Sequence, residues 1–233
     1  MALPLEATPQ RPIVSFTFDD FPKSAAEVGA RILEDARGKG TYYACSGMAG
    51  TQNETGALFD EVDVRRLTEH GHEIGAHTRS HIDCAQTPLS AILADVGACL
   101  MDLKAMGVDG KIRQFAYPYG ETTVGLKQRL SSQFDAVRGI LSGRNVAGAD
   151  LMQLRAYELD GSDARSERAL AAIRGLRKQP AWVVLFTHDV SEGNSGFGIS
   201  PATLERLVAE AKSAGADLLT MSDALDSIRG RRS

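Results

Sequence analysis

Strand-like and helix-like segments alternate along this 233-residue chain from one end to the other, and nothing in the sequence constrains its fold more tightly. Ile13–Phe18 reads as a buried strand, Lys23–Arg37 as an amphipathic helix and Thr41–Cys45 as a second strand. A Gly-rich loop over Ser46–Gly56 leads to a helix near Val62–His70, then a strand at Glu73–Ala76. The longest helical pattern, Leu89–Met106, has Pro88 before it and Gly107 after it, the usual punctuation of a helix. Gln114–Tyr117 and Phe134–Ile140 read as strands around a helix at Thr123–Leu130, and Met152–Leu159 as an extended segment. Ala164–Lys178 is helical, Trp182–Thr187 strongly β-prone, and Pro201–Ala214 a helix with Ser200 as N-cap and Pro at its first position. Asp217–Thr220 and Ser222–Ile228 supply a last strand and helix. Strands that alternate with helical crossovers run parallel, either in a doubly wound sheet or in a barrel.

Polar groups favour the barrel. Asp19, Asp20, His77, Tyr119 and His188 each follow a strand-like run directly or within three residues. In a barrel the C-terminal ends of the strands converge on one face, where the active sites of such folds lie. The expectation is an α/β protein, a (β/α) barrel of about seven parallel strands, in one domain spanning residues 1–233. No linker, repeat or composition break divides it.

His77 and His81 are four residues apart, and would share one face if the segment turned helically. With one carboxylate of Asp19-Asp20 they make a three-ligand divalent-metal site with open positions, the arrangement of catalytic metals. Neighbours in an extended segment point to opposite sides, so one carboxylate can bind metal while the other faces a reacting water. Tyr117-Pro118-Tyr119-Gly120 is a tight turn that either serves structure alone or presents a backbone N–H to a developing oxyanion. His188 ends the apolar strand face of Trp182, Val184 and Phe186, as suits a general acid at the rim of an apolar pocket or a satisfied core histidine. His70 and His72 belong to packing or solvent in the turn before a strand.

These motifs, in this order from Phe16 to His188, resemble the polysaccharide deacetylase family, metal-dependent carbohydrate esterases with a distorted (β/α) barrel. The resemblance implies Asp19 as base, Asp20, His77 and His81 as ligands of a divalent metal, usually zinc, the Tyr119 N–H as oxyanion donor and His188 as acid. Leu159-Asp160-Gly161-Ser162-Asp163 resembles the fourth motif loosely, which makes Asp160 the orienting partner of His188. That motif carries a Trp in the family and none here, and the chain departs from the pattern in three other places. Phe21-Pro22 replaces a Gly, which sets a ring against the cleft. Ala116 replaces the Arg that pairs with the base. Phe186 replaces a Leu of the acetyl pocket. Phe21, Tyr117 and Phe186 are therefore expected beside the substrate. Arg138, near the end of the Phe134–Ile140 strand, is the candidate to supply the missing charge to Asp19, with an exposed loop arginine as the alternative.

The implied reaction is removal of an acetyl group, N- or O-linked, from a saccharide. Two alternatives stay open: a same-fold amidase acting on a small amide or cyclic ureide, and a saccharide-binding or regulatory protein without turnover. A net charge of −4 with no basic stripe argues against nucleic acid, and no apolar run approaches membrane-spanning length. The basic end, Arg229 to Arg232, reads as a solvated tail. Cys45, Cys84 and Cys99, odd in number and irregularly spaced, read as small buried hydrophobes or free thiols. The start of the chain lacks the pattern of a secretory signal, so a cytoplasmic protein is expected.

Overall fold

Eight parallel strands build one curled sheet, and the order in which they pair explains its shape. The computed structural model describes residues 3–230; Arg231 and Arg232 of the basic end lie outside them. The strands are β1 (Ile13–Phe18), β2 (Gly40–Ala44), β5 (Glu73–Ala76), β6 (Gln114–Ala116), β7 (Ala136–Arg138), β8 (Tyr157–Glu158), β9 (Trp182–Thr187) and β10 (Asp217–Leu218). A small antiparallel hairpin, β3 (Gln52–Asn53) with β4 (Gly56–Ala57), stands apart. The main path runs β7-β6-β5-β2-β1-β9-β8. β10 joins the lower half of β1 at Ile13 and Val14, below the Phe16–Phe18 stretch that pairs with β2. Seven strands in the path, all parallel, agree with the barrel expectation.

The barrel closes through the short stretch of chain before β8. Leu154 donates to Val137 O at 2.8 Å and accepts from Gly139 N at 2.9 Å, so β7 meets the chain three residues before β8. The expected extended stretch over Met152–Leu159 is accordingly shorter. Asp150 accepts from Met152 N and starts a 3-10 turn at Leu151–Gln153, leaving Tyr157–Glu158 as the strand. A barrel closed there by one bridge and a further bond from Ala156 N to Leu141 O, at 3.0 Å, is distorted rather than round.

The helices are α1 (Ala30–Asp35), α2 (Glu61–Glu69), α3 (Leu89–Ala105), α4 (Val124–Leu130), α5 (Asp163–Gly175), α6 (Pro201–Ser213) and α7 (Met221–Ile228). Short polar side chains start most of them, as the unpaired N–H groups of a first turn require. Asp60 and Asp63 form a reciprocal capping box on α2, and Thr123, Ser162, Ser200 and Thr220 cap α4, α5, α6 and α7. The predicted Lys23–Arg37 helix begins as a π-helical turn over Ala25–Gly29, where a Cβ on Gly29 would stand 3.2 Å from the Phe18 ring.

Every residue of β1 and of β9 is buried. Their continuous β-branched and aromatic runs are what a parallel strand covered on both faces needs. His72 is buried too. It accepts from Gly40 N through Nδ1 and meets Glu34 through Nε2, while His70 reaches the same carboxylate. His72 serves the packing of that turn and His70 stands at its solvent side, the two roles expected.

Candidate active site and metal centre

The register delivers the polar residues to one level. Ala44 faces Ala76, so the next residues, Cys45 and His77, are neighbours. Phe18 faces Thr187, which brings Asp19 beside His188. Ala116 faces Arg138, so the end of β7 lies at the same rim. They surround a cavity of about 340 Å³ lined by Asp19, Asp20, His77, His81 and His188, with Tyr117, Tyr119 and Phe186 among its apolar walls. Met48, Ile140 and Phe197 extend those walls, and residues Asn53 to Thr55 of the β3–β4 hairpin cover one side.

Asp20, His77 and His81 come together as a donor cluster. Asp20 Oδ1 is 3.7 Å from His77 Nε2 and 3.4 Å from His81 Nε2. His77 Nδ1 lies 2.8 Å from Ala116 O, an atom that can only accept, so the proton sits on Nδ1 and Nε2 offers a lone pair. Burial pulls the His77 pKa down to about 4, against the pull of Asp19, so the ring is neutral near pH 7. A bare imidazole nitrogen facing a carboxylate, both of them acceptors, is an arrangement that a cation between them relieves. The donor set thus fits a divalent ion. His81 is oriented by Tyr119, whose hydroxyl lies 3.2 Å from His81 Nδ1 and whose ring meets the imidazole edge-on at 4.7 Å.

The His77–His81 segment is a loop, not a helical turn. Thr78 and His81 have positive φ, 61° and 51°. Asp95 of α3 accepts from Arg79 N and Ser80 N, and Arg79 Nε donates to Asp102. Side chains of a distant helix therefore hold the loop, which no local period can announce.

Asp19 is 5% exposed, and its Oδ2 accepts from Arg138 Nη2 at 2.5 Å. Arg138 is fully buried, with its guanidinium 4.5 Å from the Phe186 ring centroid and 5.4 Å from that of Tyr43. Burial alone would raise the Asp19 pKa. The charges of Arg138, His77 and His188 outweigh it and hold the carboxyl below its usual range. Of the three, Arg138 is the one hydrogen-bonded to the carboxylate. The arginine absent from position 116 is thus met by one from the next strand. Asp19 Oδ1 has no hydrogen-bond partner among the described residues.

His188 is half-buried at the cavity, and its Nδ1 lies 3.2 Å from Phe197 O, leaving Nε2 to exchange protons. Asp160 does not orient it. That carboxylate accepts from Ser162 N and Ser162 Oγ and faces Arg165, in the turn that starts α5. A short acidic residue two positions before a capping serine is drawn into that local turn. The His188 loop is held instead by buried Asp189, which accepts from Ser191 and Ser195.

Phe21 is not beside the cleft either. It is fully buried, and its ring stacks on Phe59 at 4.5 Å and 9° and tilts against Tyr42. Asp20 and Phe21 both adopt left-handed φ, 58° and 63°, which swings the ring into the core. Tyr117 lines the cavity, its hydroxyl donating to Met152 O, and Phe186 lies at the cavity under the Arg138 guanidinium. Tyr119 sits at φ 59° in a 3-10 turn over Pro118–Gly120 and is 60% exposed at the mouth.

Cys45 is the residue that sequence reasoning missed. Its Sγ lies 3.8 Å from Asp20 Oδ1 and 3.1 Å from His77 O. The donor atoms of Asp20, Cys45, His77 and His81 all lie within 4.8 Å of one another. All three cysteines are free and buried, as expected, but only Cys45 joins this cluster.

The polysaccharide deacetylase family model matches residues 6–133. No curated protein sequence matches the chain. Among solved structures, peptidoglycan deacetylase PdaC from Bacillus subtilis superposes with a TM-score of 0.61 at 14% identity, over 95% of this chain and 93% of its own. The Xyl-CE4 domain of a multidomain xylanase from the hindgut metagenome of Trinervitermes trinervoides gives 0.64 at 21%, over 95% and 92%. A mutant CE4 family pseudoenzyme with restored enzymatic activity gives 0.65 at 15%, over 94% and 69%. At these identities the likeness is one of fold.

Proposed function

The chain belongs to the polysaccharide deacetylase family, and we propose that it is a metal-dependent hydrolase that releases acetate from an N- or O-acetylated saccharide. The observation that carries this reading is the pairing of Asp19 with Arg138 beside the cluster of Asp20, His77 and His81. A divalent metal, zinc in this proposal, held by Asp20, His77 and His81 would polarise the acetyl carbonyl and acidify a water.

The chain's own residues do the rest. Arg138 keeps Asp19 ionised and fixes Oδ2, so the unpartnered Oδ1 is the oxygen that takes the proton of the attacking water. The Tyr119 N–H, in the turn over Pro118–Gly120 at the cavity, serves the developing oxyanion in this reading. His188, with Nδ1 engaged by Phe197 O, hands a proton from Nε2 to the departing nitrogen. Tyr117 and Phe186 form the wall against the acetyl group. The reading without turnover rested on a base lacking its cation, and Asp19 has one.

The test is acetate release from acetylated chito-oligosaccharides, acetylated xylan and small N-acetyl amides, with and without chelator. Release that stops on chelation and returns with zinc supports the proposal. Turnover of the small amides alone would replace the saccharide with the amidase reading, and no metal-dependent release from any of them would overturn the enzyme. We place the activity in the cytoplasm as part of the same proposal, since three unpaired buried cysteines suit a reducing compartment. Recovery of the chain outside the cytoplasm would refute that placement.

A further inference from the structure

We propose that Cys45 Sγ is a fourth protein donor to the metal held by Asp20, His77 and His81, which makes this a sulfur-containing site selective for thiophilic ions. The inference rests on the metal reading above and adds a ligand to it. Cys45 owes its place to the register, directly after β2 and beside His77. Metal–oxygen and metal–nitrogen bonds of about 2.1 Å and a metal–sulfur bond of about 2.3 Å put neighbouring donors about 3–4 Å apart around an ion that keeps a further position open for water. The edges from Asp20 Oδ1 measure 3.4 Å to His81, 3.7 Å to His77 and 3.8 Å to Cys45. The sulfur edge from Asp20 is thus as well placed as its nitrogen edges, and no edge of the cluster exceeds 4.8 Å.

The other two thiols have different surroundings. Cys84 lies against Ile82 O, and Cys99 against Ala44 O. Cys45 has one proton, placed between the carbonyl of His77 and the carboxylate of Asp20. On metal binding that proton leaves to solvent and the sulfur lone pair forms the bond, so loading the site releases a proton. A thiolate among the donors favours zinc, cadmium and cobalt over magnesium and manganese.

The full chain, stripped of metal and kept reduced, is titrated with cobalt(II). The wild type should show a near-ultraviolet sulfur-to-cobalt charge-transfer band, retained in Cys84→Ser and lost in Cys45→Ser. Cys45→Ser should also bind zinc more weakly, by about tenfold or more, on the scale of effects around metal sites. Cobalt bound in the wild type through His77, with visible bands that vanish in His77→Ala but with no charge-transfer band, would overturn the Cys45 ligand and leave the metal reading standing. A band that survives in Cys45→Ser would overturn it as well. No cobalt uptake by the wild type would sink the metal reading and this inference with it. The wild-type spectrum decides the matter even where a variant fails to fold.

Discussion

Arg138→Met isolates the charge that Asp19 depends on. Methionine nearly fills the same volume and can still lie on Phe186, so the change removes the cation and leaves little cavity. Both partners are buried, Arg138 completely, and breaking a buried pair costs about 3–5 kcal/mol because one charge is left uncompensated. For 233 residues the entropy of unfolding makes each kcal/mol worth about 2 °C, so the melting temperature at pH 7.5 should fall by about 6–10 °C. Asp19 can escape part of that cost by taking a proton. In the wild type the Asp19 pKa is depressed, so its contribution is present above the unfolded value and is lost only as pH falls below about 4. In the variant burial loses its main opponent, the sign reverses, and stability falls as pH rises through the raised pKa. The gap between the two proteins should therefore be wide at pH 7.5 and close towards pH 4. Thermal melts of the metal-free proteins across that range test this, and the acid limb of acetate release should move up in parallel. Equal melting temperatures at pH 7.5, with an unmoved acid limb, would refute Arg138 as the counter-ion of Asp19.

Asp19→Asn should keep its metal yet lose on the order of a hundredfold or more in turnover; metal loss on analysis would mean that Asp19 and Asp20 have exchanged roles. Tyr119→Phe removes the hydroxyl at His81 Nδ1 and should weaken zinc binding by about 10–100-fold in a competition titration, whereas unchanged affinity would mean that the hydroxyl does not orient His81. Phe21→Ala should cost about 3–5 kcal/mol in denaturant unfolding, because the stacked ring is fully buried; a ring lining the cleft would instead give unchanged stability and altered substrate preference. His188→Ala should slow amide substrates far more than an activated aryl acetate, whose leaving group needs no proton, and equal losses on both would remove His188 as the acid.

The alternation of periods by itself determined that the strands run parallel and that their C-terminal ends share a rim, because a short crossover helix leaves the next strand no other direction. It follows that residues just past those ends, Asp19, Asp20, His77 and His188, meet, and that Arg138 is within reach of Asp19 from a neighbouring strand end. What local pattern could not reach was decided by packing across the chain. Cys45 became a neighbour of His77 only through the pairing of Ala44 with Ala76. Phe21 turned from the cleft to Phe59 through a backbone conformation that non-glycine residues adopt only when their surroundings impose it. The His77–His81 loop took its shape from Asp95 and Asp102 on α3, and Asp160 was claimed by the turn before α5. Propensity and period act over a few residues and so select elements. Register, left-handed backbone positions and contacts between distant side chains depend on the whole barrel closing, and these assembled the site.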